Sequence, residues 1–297
     1  MARRVYLHIG TMKAATTYLQ NLCDVNRGLL AEHGLLWQGG RFNQYAIHDF
    51  QKSSMLPPQE KGAFRRFRDQ VRQEPGDVLV SMELLAKLRS DRIAKLVEQL
   101  GAEEYVVMLT ARDLTRVTTS HWQETTQNMG TVPWAQWIAE VCDVEPSASD
   151  TSPFWRHHYL PRILDEWAGV AGPERTHLVT IPQSKSDPEA VWRRFASVIG
   201  VPAERATQPS FSNAAIGATS AELMRRLNVE LSGTPFNQYR WGFKAALAKQ
   251  TLARRAGAEP RVGLSAEQHA RLSSIAADMV EQVKQRDVDV VGDLSDL

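Results

Sequence analysis

The chain has 297 residues, of which 43% are hydrophobic, so it is long enough to bury a sizeable core. Its 35 basic and 34 acidic residues nearly cancel to a formal net charge of +1, which argues against a general binder of nucleic acid. The cysteines, Cys23 and Cys142, are too few and too far apart for a disulfide framework or a zinc cluster, and they indicate a reducing compartment.

The beginning of the chain, MARRVYLHIG, lacks the long apolar segment and small-residue cleavage site of a signal peptide. No stretch of the sequence approaches the length of a membrane span. We therefore expect a cytoplasmic protein without a transmembrane segment.

The first predicted elements are a strand and a helix. VYLHI combines β-branched and aromatic residues without a breaker, which is typical of a short buried strand. From Leu19 to Leu30 leucines recur at roughly helical spacing, and Gly34 ends the pattern. Residues 10–15 are therefore predicted to be the loop that joins the strand to the helix.

Further along the chain, strand and helix patterns keep alternating. GDVLVSMELL, EYVVMLTARD and THLVTI each predict a strand. Helices are predicted in DRIAKLVEQLG, in FWRHHYLPRILDEWAG, in DPEAVWRRFASVIG, and over 114–142 with breaks at Gly130 and Pro133. The alternation favours a parallel sheet covered on both faces. We predict one α/β domain over 1–297, a P-loop-like parallel sheet flanked by helices with a helical C-terminal extension over about 209–297.

The loop 10–15 has the chemistry of an anion site. A loop before a helix directs unpaired N–H groups and the positive end of the helix dipole at one point, and Lys13, Thr16 and Thr17 add further donors. The alternative is a capped helix beside a solvated lysine. The loop is not the GxxxxGK phosphate loop of nucleotide hydrolases and kinases, because Met12 precedes the lysine and the threonines follow three and four residues later.

MKAATTY resembles the 5′-phosphosulfate loop of the sulfotransferase superfamily, in which a lysine, two small residues, a threonine pair and an aromatic follow one another. LTARDLTRVTTSHW resembles the 3′-phosphate site of that family, an arginine at a strand end and a serine eight residues later, here Arg112 and Ser120. A guanidinium fork matches a phosphate bidentately, and a hydroxyl two turns along the next helix faces the same anion. The alternatives are an ion pair of Arg112 with Asp113 and a helix-cap arrangement.

The resemblance implies 3′-phosphoadenosine 5′-phosphosulfate as cosubstrate. The residues that it assigns to this donor are Gly10, Met12, Lys13, Ala14, Ala15, Thr16, Thr17, Tyr18, Arg112 and Ser120. WRHHYLPRILDEWAG, THLVTIP, VWRRFASVIG and DVVGDLSDL look like the bacterial, chiefly actinobacterial, branch of the family. Two departures are Ala15, where many members have glycine, and the absence of the RKGxxGDWK segment of the cytosolic animal enzymes. For Tyr18, packing near the adenine and ordinary helix packing both remain open.

Sulfuryl transfer requires a base for the acceptor and positive charge where the leaving phosphate becomes negative. The resemblance implies that Lys13 supplies the charge and that Glu83, just after a predicted strand, is the base. A carboxylate at the carboxyl end of a parallel strand points into the crevice where ligands bind. The alternatives are that Glu83 caps the following helix, 82–88, or that His157 or His158 is the base.

Other histidines receive separate interpretations. His8 is predicted to be a satisfied core residue, His48 to lie in a loop-like segment, and His121 either to line the nucleotide site or to lie on the surface. No spacing of His, Cys, Asp and Glu resembles a metal site, and sulfuryl transfer of this type requires no metal.

The function expected from the sequence is sulfuryl transfer to a hydroxyl or amine of a small-molecule, sugar or lipid acceptor. A nucleotide kinase on a related loop is the second hypothesis, although the lysine lacks its preceding glycine. The third is a nucleotide-binding protein that has lost catalysis, which Ala15 leaves open.

Overall fold

The computed structural model describes residues 2–148, 150–184, 186–209 and 216–297 of the chain. These residues form two compact units. The first unit contains 2–113, 150–209 and 276–297, and the second contains 114–148 and 216–275.

The first unit is built on a six-stranded sheet whose neighbouring strands all pair in parallel. The strands are β1 (Arg4–Gly10), β2 (Leu35–Trp37), β3 (Asp77–Ser81), β4 (Glu104–Ala111), β5 (Thr176–Thr180) and β6 (Asp289–Val291). Their order across the sheet is β2, β3, β1, β4, β5, β6. The α/β class with a parallel sheet flanked by helices, predicted from the alternating pattern, is confirmed.

Helices fill most of the connections. The α-helices are α1 (Thr16–Val25), α2 (Arg27–Glu32), α3 (Gly40–Phe50), α4 (Ala63–Gln73), α5 (Ser90–Leu100), α6 (Leu114–Gln127), α7 (Trp134–Asp143), α8 (Pro153–His158), α9 (Leu160–Ala171), α10 (Ala190–Ile199), α11 (Ala218–Glu230), α12 (Phe236–Tyr239) and α13 (Ala266–Lys284). A π-helical segment covers Arg240–Thr251. Short 3₁₀ helices cover Pro58–Glu60, Glu83–Lys87, Pro146–Ala148, Pro173–Arg175, Ala203–Arg205, Leu252–Arg255 and Leu294–Asp296.

The sheet separates two apolar cores, because successive strand residues point to opposite faces. Val5, Leu7 and Ile9 of β1 pack in the core formed with α3, α4, α5 and α9. Tyr6 packs in the core formed with α1, α2 and α10. Strands buried on both faces read as nearly continuous apolar runs, which is why β1, β3 and β4 are predictable from sequence. In open α/β sheets, ligands bind at the carboxyl ends of the strands.

The second unit is helical. α6 packs against α11. Asn228 on α11 donates through Nδ2 to the carbonyl oxygens of Thr126 and Gly130, at 2.8 and 2.7 Å, and accepts from the hydroxyl of Tyr239 at 2.7 Å. The chain leaves α6 near Gly130 and enters α7 after Pro133, so the predicted helix breaks at these two residues are confirmed.

Two strands, the helices α3 and α4, and one helix break were missed from the sequence. β2 and β6 have three residues each, too few for a periodic pattern, and β6 joins the sheet beside β5. The helix predicted to run on to Gly34 is divided at Asn26. The Asn26 side chain donates to the carbonyl oxygens of Leu22, at 2.8 Å, and Thr207, at 2.9 Å, and so fixes the break.

The prediction that His48 lies in a loop-like segment is wrong, since it lies within α3 and is buried. The helical spacing of Ala46, Ile47 and Phe50, which face the core, accounts for the difference. In the described part of the chain, no helix combines the length and the apolar character that a bilayer span requires.

Candidate functional site

Three neighbouring strands bring the predicted site residues of the first unit to the carboxyl-terminal edge of the sheet, where the parallel strands end. β1 lies between β3 and β4, and all three run in the same direction. The loop 10–15 follows β1, Glu83 follows β3 after one residue, and Arg112 directly follows β4. The chain proceeds from β1 to one side of the sheet and from β4 to the other, so this edge is a topological switch point, where α/β folds bind ligands.

Glu83 is held against the end of β1. The amide N–H of Met82 donates to the carbonyl oxygen of His8 at 2.9 Å. A Cβ added to Gly10 would lie 2.9 Å from both the Cα and the carbonyl oxygen of Glu83, and Gly10 has a φ of +110°. Close approach and positive φ together require glycine here. Glu83 opens the 3₁₀ helix Glu83–Lys87 and is half-buried.

The loop itself has an unusual backbone. Lys13 and Ala15 have φ values of 62° and 66°, in the left-handed region that L-residues with a Cβ adopt at a cost of about 1–2 kcal/mol each. Ala15 is the N-cap of α1 and provides no side-chain cap for its first turn. The Ala15 side chain therefore cannot accept from the first-turn N–H groups of α1, and the helix dipole favours an anion there.

Arg112 and the end of β4 are tied to the same loop. Arg112 Nη1 donates to the carbonyl oxygen of Lys13 at 3.4 Å. The amide N–H of Thr11 donates to the carbonyl oxygen of Thr110 at 2.7 Å. Arg112 is half-buried, and its guanidinium contacts the backbone of Lys13. Two cationic side chains therefore flank the loop.

The threonine pair and Tyr18 have different environments. Thr16 is buried, and its hydroxyl donates to the carbonyl oxygen of Thr11 at 3.5 Å, whereas Thr17 is exposed. Tyr18 donates its hydroxyl to Gln208 Oε1 at 3.0 Å. Partial burial, together with the carboxylates of Glu189 and Asp187, raises the pKa of Tyr18. Of the two threonines, Thr17 is the one available to a ligand at the surface.

The other two loop residues and Ser120 complete the predicted donor set. Ala14 is fully buried and Met12 is half-buried. Ser120 lies on α6, in the second unit, where its hydroxyl donates to the carbonyl oxygen of Arg116 at 2.8 Å. Since Arg112 belongs to the first unit, the pairing of Arg112 with Ser120 stays a prediction.

The rival bases lie on an element next to Glu83. α8, which ends with His157 and His158, packs against the 3₁₀ helix Glu83–Lys87. His158 is buried with its ring 4.6 Å from that of Phe154. Glu83 and the histidine pair therefore occupy one region of the first unit, and the choice of base stays open. His121 is buried on α6, its ring 5.3 Å from that of Trp137.

A buried polar layer beneath the loop was missed in the sequence. His8 is fully buried on β1; its Nδ1 lies 2.8 Å from Ser81 Oγ on β3 and its Nε2 lies 3.0 Å from Thr110 Oγ1 on β4. Thr110 donates its hydroxyl to the carbonyl oxygen of Gly10 at 3.0 Å, and Gln20 on α1 donates to the Ser81 carbonyl oxygen at 2.9 Å. Burial lowers the pKa of His8 to about 3. Polar residues inside apolar strands are the signal that could have revealed this layer.

Within the described residues, no group of three His, Cys, Asp or Glu side chains is arranged to hold a metal ion. The site therefore presents backbone N–H groups, hydroxyls, two cations and one carboxylate. Such a set binds phosphate-like anions and can move a proton.

No family model matches the sequence, and no curated protein matches it either. Among solved structures, the crystal structure of a sulfotransferase from Alicyclobacillus acidocaldarius is similar to this chain, with a TM-score of 0.47 and 15% sequence identity. The similarity covers 77% of this chain and 94% of that chain.

Proposed function

We propose that this chain is a sulfotransferase that moves a sulfuryl group from 3′-phosphoadenosine 5′-phosphosulfate to a hydroxyl or amine of a small-molecule, sugar or lipid acceptor. The observation that carries the proposal is the meeting of the loop 10–15, Glu83 and Arg112 at one edge of the sheet. The backbone of Glu83 touches Gly10, and Arg112 donates to the carbonyl oxygen of Lys13.

The donor's two phosphate groups have separate proposed sites. The uncapped first turn of α1, with Lys13 and the exposed hydroxyl of Thr17, suits the 5′-phosphosulfate, because N–H groups, a helix dipole and an ammonium all favour an anion. Arg112 with Ser120 suits the 3′-phosphate, which a guanidinium binds bidentately.

The proposed reaction is an in-line displacement at sulfur. The acceptor oxygen or nitrogen forms a bond to sulfur while the bond from sulfur to the bridging 5′-phosphate oxygen breaks. The acceptor proton passes to the Glu83 carboxylate, and adenosine 3′,5′-bisphosphate leaves with the negative charge of the broken bond. The Lys13 ammonium stabilises that charge as it develops.

The test compares ligands by calorimetry. The protein is titrated with adenosine 3′,5′-bisphosphate, 5′-AMP and ATP, each with and without magnesium, and sulfate transfer from the phosphosulfate donor is then assayed on phenols, sugars and lipids. Preference for the bisphosphate without magnesium, followed by transfer, is the expected result.

The two competing functions give different results in the same experiment. Tight binding of ATP only with magnesium, with no preference for the bisphosphate, would identify a nucleotide kinase and contradict the proposal. Preferred binding of the bisphosphate without transfer to any acceptor in the panel would identify a nucleotide-binding protein that has lost catalysis.

A further inference from the structure

The buried layer beneath the loop is a continuous chain of hydrogen bonds. It begins at Gln20 Nε2 on α1, which lies 3.3 Å from Ser81 Oγ on β3. It continues from Ser81 Oγ to His8 Nδ1 at 2.8 Å, and from His8 Nε2 to Thr110 Oγ1 at 3.0 Å. It ends where Thr110 Oγ1 reaches the carbonyl oxygen of Gly10 at 3.0 Å. One histidine ring therefore connects a helix and three strands.

The bond from Thr110 to Gly10 fixes the direction in which hydrogens are donated along these residues. A carbonyl oxygen only accepts, so Thr110 must donate its single hydroxyl hydrogen to Gly10. The hydroxyl oxygen of Thr110 can then only accept from the imidazole. His8 must therefore carry its hydrogen on Nε2.

The near end agrees with this assignment. His8 is fully buried, and burial lowers its pKa to about 3, so the ring is neutral near pH 7 and its Nδ1 is an acceptor. Ser81 must then donate its hydroxyl hydrogen to Nδ1, which leaves Ser81 Oγ to accept from the Gln20 amide. All the hydrogens point the same way, from Gln20 towards Gly10.

Thr110 makes two hydrogen bonds to the start of the loop. Its hydroxyl binds the carbonyl oxygen of Gly10, and its carbonyl oxygen accepts from the N–H of Thr11 at 2.7 Å. Both polar atoms of the peptide unit between Gly10 and Thr11 are therefore held by one residue. Thr110 therefore holds the chain three residues before Lys13.

We propose that His8 is a positioning residue which, as the neutral Nε2–H tautomer, orients Thr110 and through it the loop that carries Lys13. The proposal rests on the proposed function. Two of the hydrogen-bonded residues lie close in sequence to predicted site residues. Ser81 lies two residues before Glu83, and Thr110 lies two residues before Arg112.

A nuclear magnetic resonance measurement tests the tautomer without any ligand. Nitrogen-15 spectra of the unliganded protein are expected to show His8 protonated at Nε2 and unprotonated at Nδ1, with slow exchange of the Nε2 hydrogen. A ring protonated at Nδ1, or at both nitrogens near pH 7, would overturn the proposal.

A double-variant cycle tests the positioning role. Thr110→Val removes the hydroxyl and keeps the shape, and His8→Leu removes the ring. Each single variant is expected to speed hydrogen exchange of loop amides over 11–17 and to weaken binding of the bisphosphate, both about tenfold. Because His8 acts through Thr110, the double variant is expected to be no worse than the worse single variant.

Controls separate this role from simple destabilisation. Thr118→Val makes the same substitution at a buried threonine whose hydroxyl donates to Leu114, and it is expected to leave the loop unchanged. Ser81→Ala keeps the His8 ring and removes the bonds that Ser81 Oγ makes to His8 Nδ1 and Gln20 Nε2, so it provides a milder variant if His8→Leu fails to fold. Its expected effect is smaller but falls on the same amides.

The possible results distinguish failure of the role of His8 from failure of the proposed function. Additive effects of His8→Leu and Thr110→Val, or faster exchange spread over the whole sheet, would reduce His8 to a core residue and overturn the proposal. If the wild-type protein shows the expected tautomer and loop protection but does not bind the bisphosphate, the proposed function fails while the link from His8 to the loop stands.

Discussion

Two layers at the carboxyl-terminal edge of the sheet differ in hydrogen bonding and in backbone conformation. The buried layer, formed by Gln20, His8, Ser81 and Thr110, has hydrogen bonds between its members at 2.8 to 3.3 Å. The loop layer, formed by Lys13, Ala15, Thr17 and Arg112, contains two left-handed residues and a helix start without a side-chain cap. The members of the buried layer bond one another, whereas the loop layer combines left-handed backbone with two cationic side chains.

This difference suggests that the loop layer binds and reacts while the buried layer supports it. Strained backbone persists only where the surrounding structure holds it, and the buried layer provides that support from below. Changes in the loop layer should therefore alter binding and turnover with small effects on folding. Changes in the buried layer should alter folding and the loop together.

Glu83→Gln is expected to cause the largest loss of turnover. A positioned general base contributes about 10²–10⁴-fold, and glutamine keeps the size and much of the hydrogen bonding of Glu83 while removing proton affinity. Turnover should fall by that factor, bisphosphate binding should stay near the wild-type value, and the acid limb of the pH–rate profile should disappear. The measurement is a sulfation assay with an acceptor for which chemistry limits the rate.

The controls for Glu83 are the two histidines on the neighbouring helix. His157→Asn and His158→Asn are assayed beside Glu83→Gln under the same conditions. If one histidine variant loses turnover while Glu83→Gln keeps it, the base has been misassigned and Glu83 belongs to the start of the 3₁₀ helix alone.

Lys13→Ala is expected to lower turnover more than it weakens binding of the bisphosphate. Its charge is needed most when the bridging oxygen becomes negative, and loss of one group that stabilises such charge costs about 10²–10³-fold in turnover. Thr17→Ala is the matched comparison and should mainly weaken binding. Equal losses of affinity and turnover in Lys13→Ala would assign the lysine to ground-state binding.

Arg112→Ala is expected to remove the preference for the bisphosphate over 5′-AMP. A charge-assisted hydrogen bond is worth about 1.5–3 kcal/mol, so affinity for the bisphosphate should fall roughly 10–100-fold while affinity for 5′-AMP hardly changes. Arg66→Ala removes an exposed guanidinium paired with Glu60 and controls for net charge. Wild-type protein that binds both nucleotides equally would show that no 3′-phosphate site exists.

The sequence predicted the loop layer better than the buried layer, and the reason is physical. Lys13, Thr17 and Arg112 lie in short contiguous segments whose order is itself the signal. His8, Ser81 and Thr110 meet only because β1 pairs with β3 and β4 in register, which no local pattern encodes. His8 was correctly predicted to be a satisfied core residue, but its partners were not.

The fold shows the same limit. β1, β3, β4 and β5 were predicted because each is a buried run of five to eight residues. β2 and β6 are three-residue strands at the two edges of the sheet, and pairing with a neighbour, more than composition, makes them strands. The left-handed backbone of Lys13 and Ala15 was likewise unpredictable, since neither residue favours it.

Replacing His8 should change how stability depends on pH. Burial lowers its pKa to about 3, compared with 6.5 in the unfolded chain, so between these values the unfolded state binds a proton that the folded state does not. The wild-type protein should therefore lose stability as pH falls below 6.5, by up to about 1.4 kcal/mol per pH unit from this residue. His8→Gln has no such proton, so the gap in unfolding free energy between the two proteins should narrow by roughly 2 kcal/mol from pH 7 to pH 5.

The control for His8 is His33→Gln, since His33 is exposed to solvent in the folded chain. Parallel pH dependence of urea unfolding for the wild-type protein and His8→Gln across this pH range would show that His8 is not held neutral by burial.

Ala15→Gly should have the smallest effect, and it tests whether the strain of the loop layer is real. Glycine adopts a φ of 66° freely, which relieves about 1–2 kcal/mol, while its greater freedom in the unfolded chain costs about 0.4–1 kcal/mol. The net expectation is a gain of roughly 0.5 kcal/mol in unfolding free energy, seen as a higher urea midpoint with an unchanged slope. Ala14→Gly is the matched control, because Ala14 is fully buried without a positive φ and should lose about 1 kcal/mol. If both variants lose stability equally, the left-handed conformation of Ala15 costs nothing, and the contrast between the two layers fails at this residue.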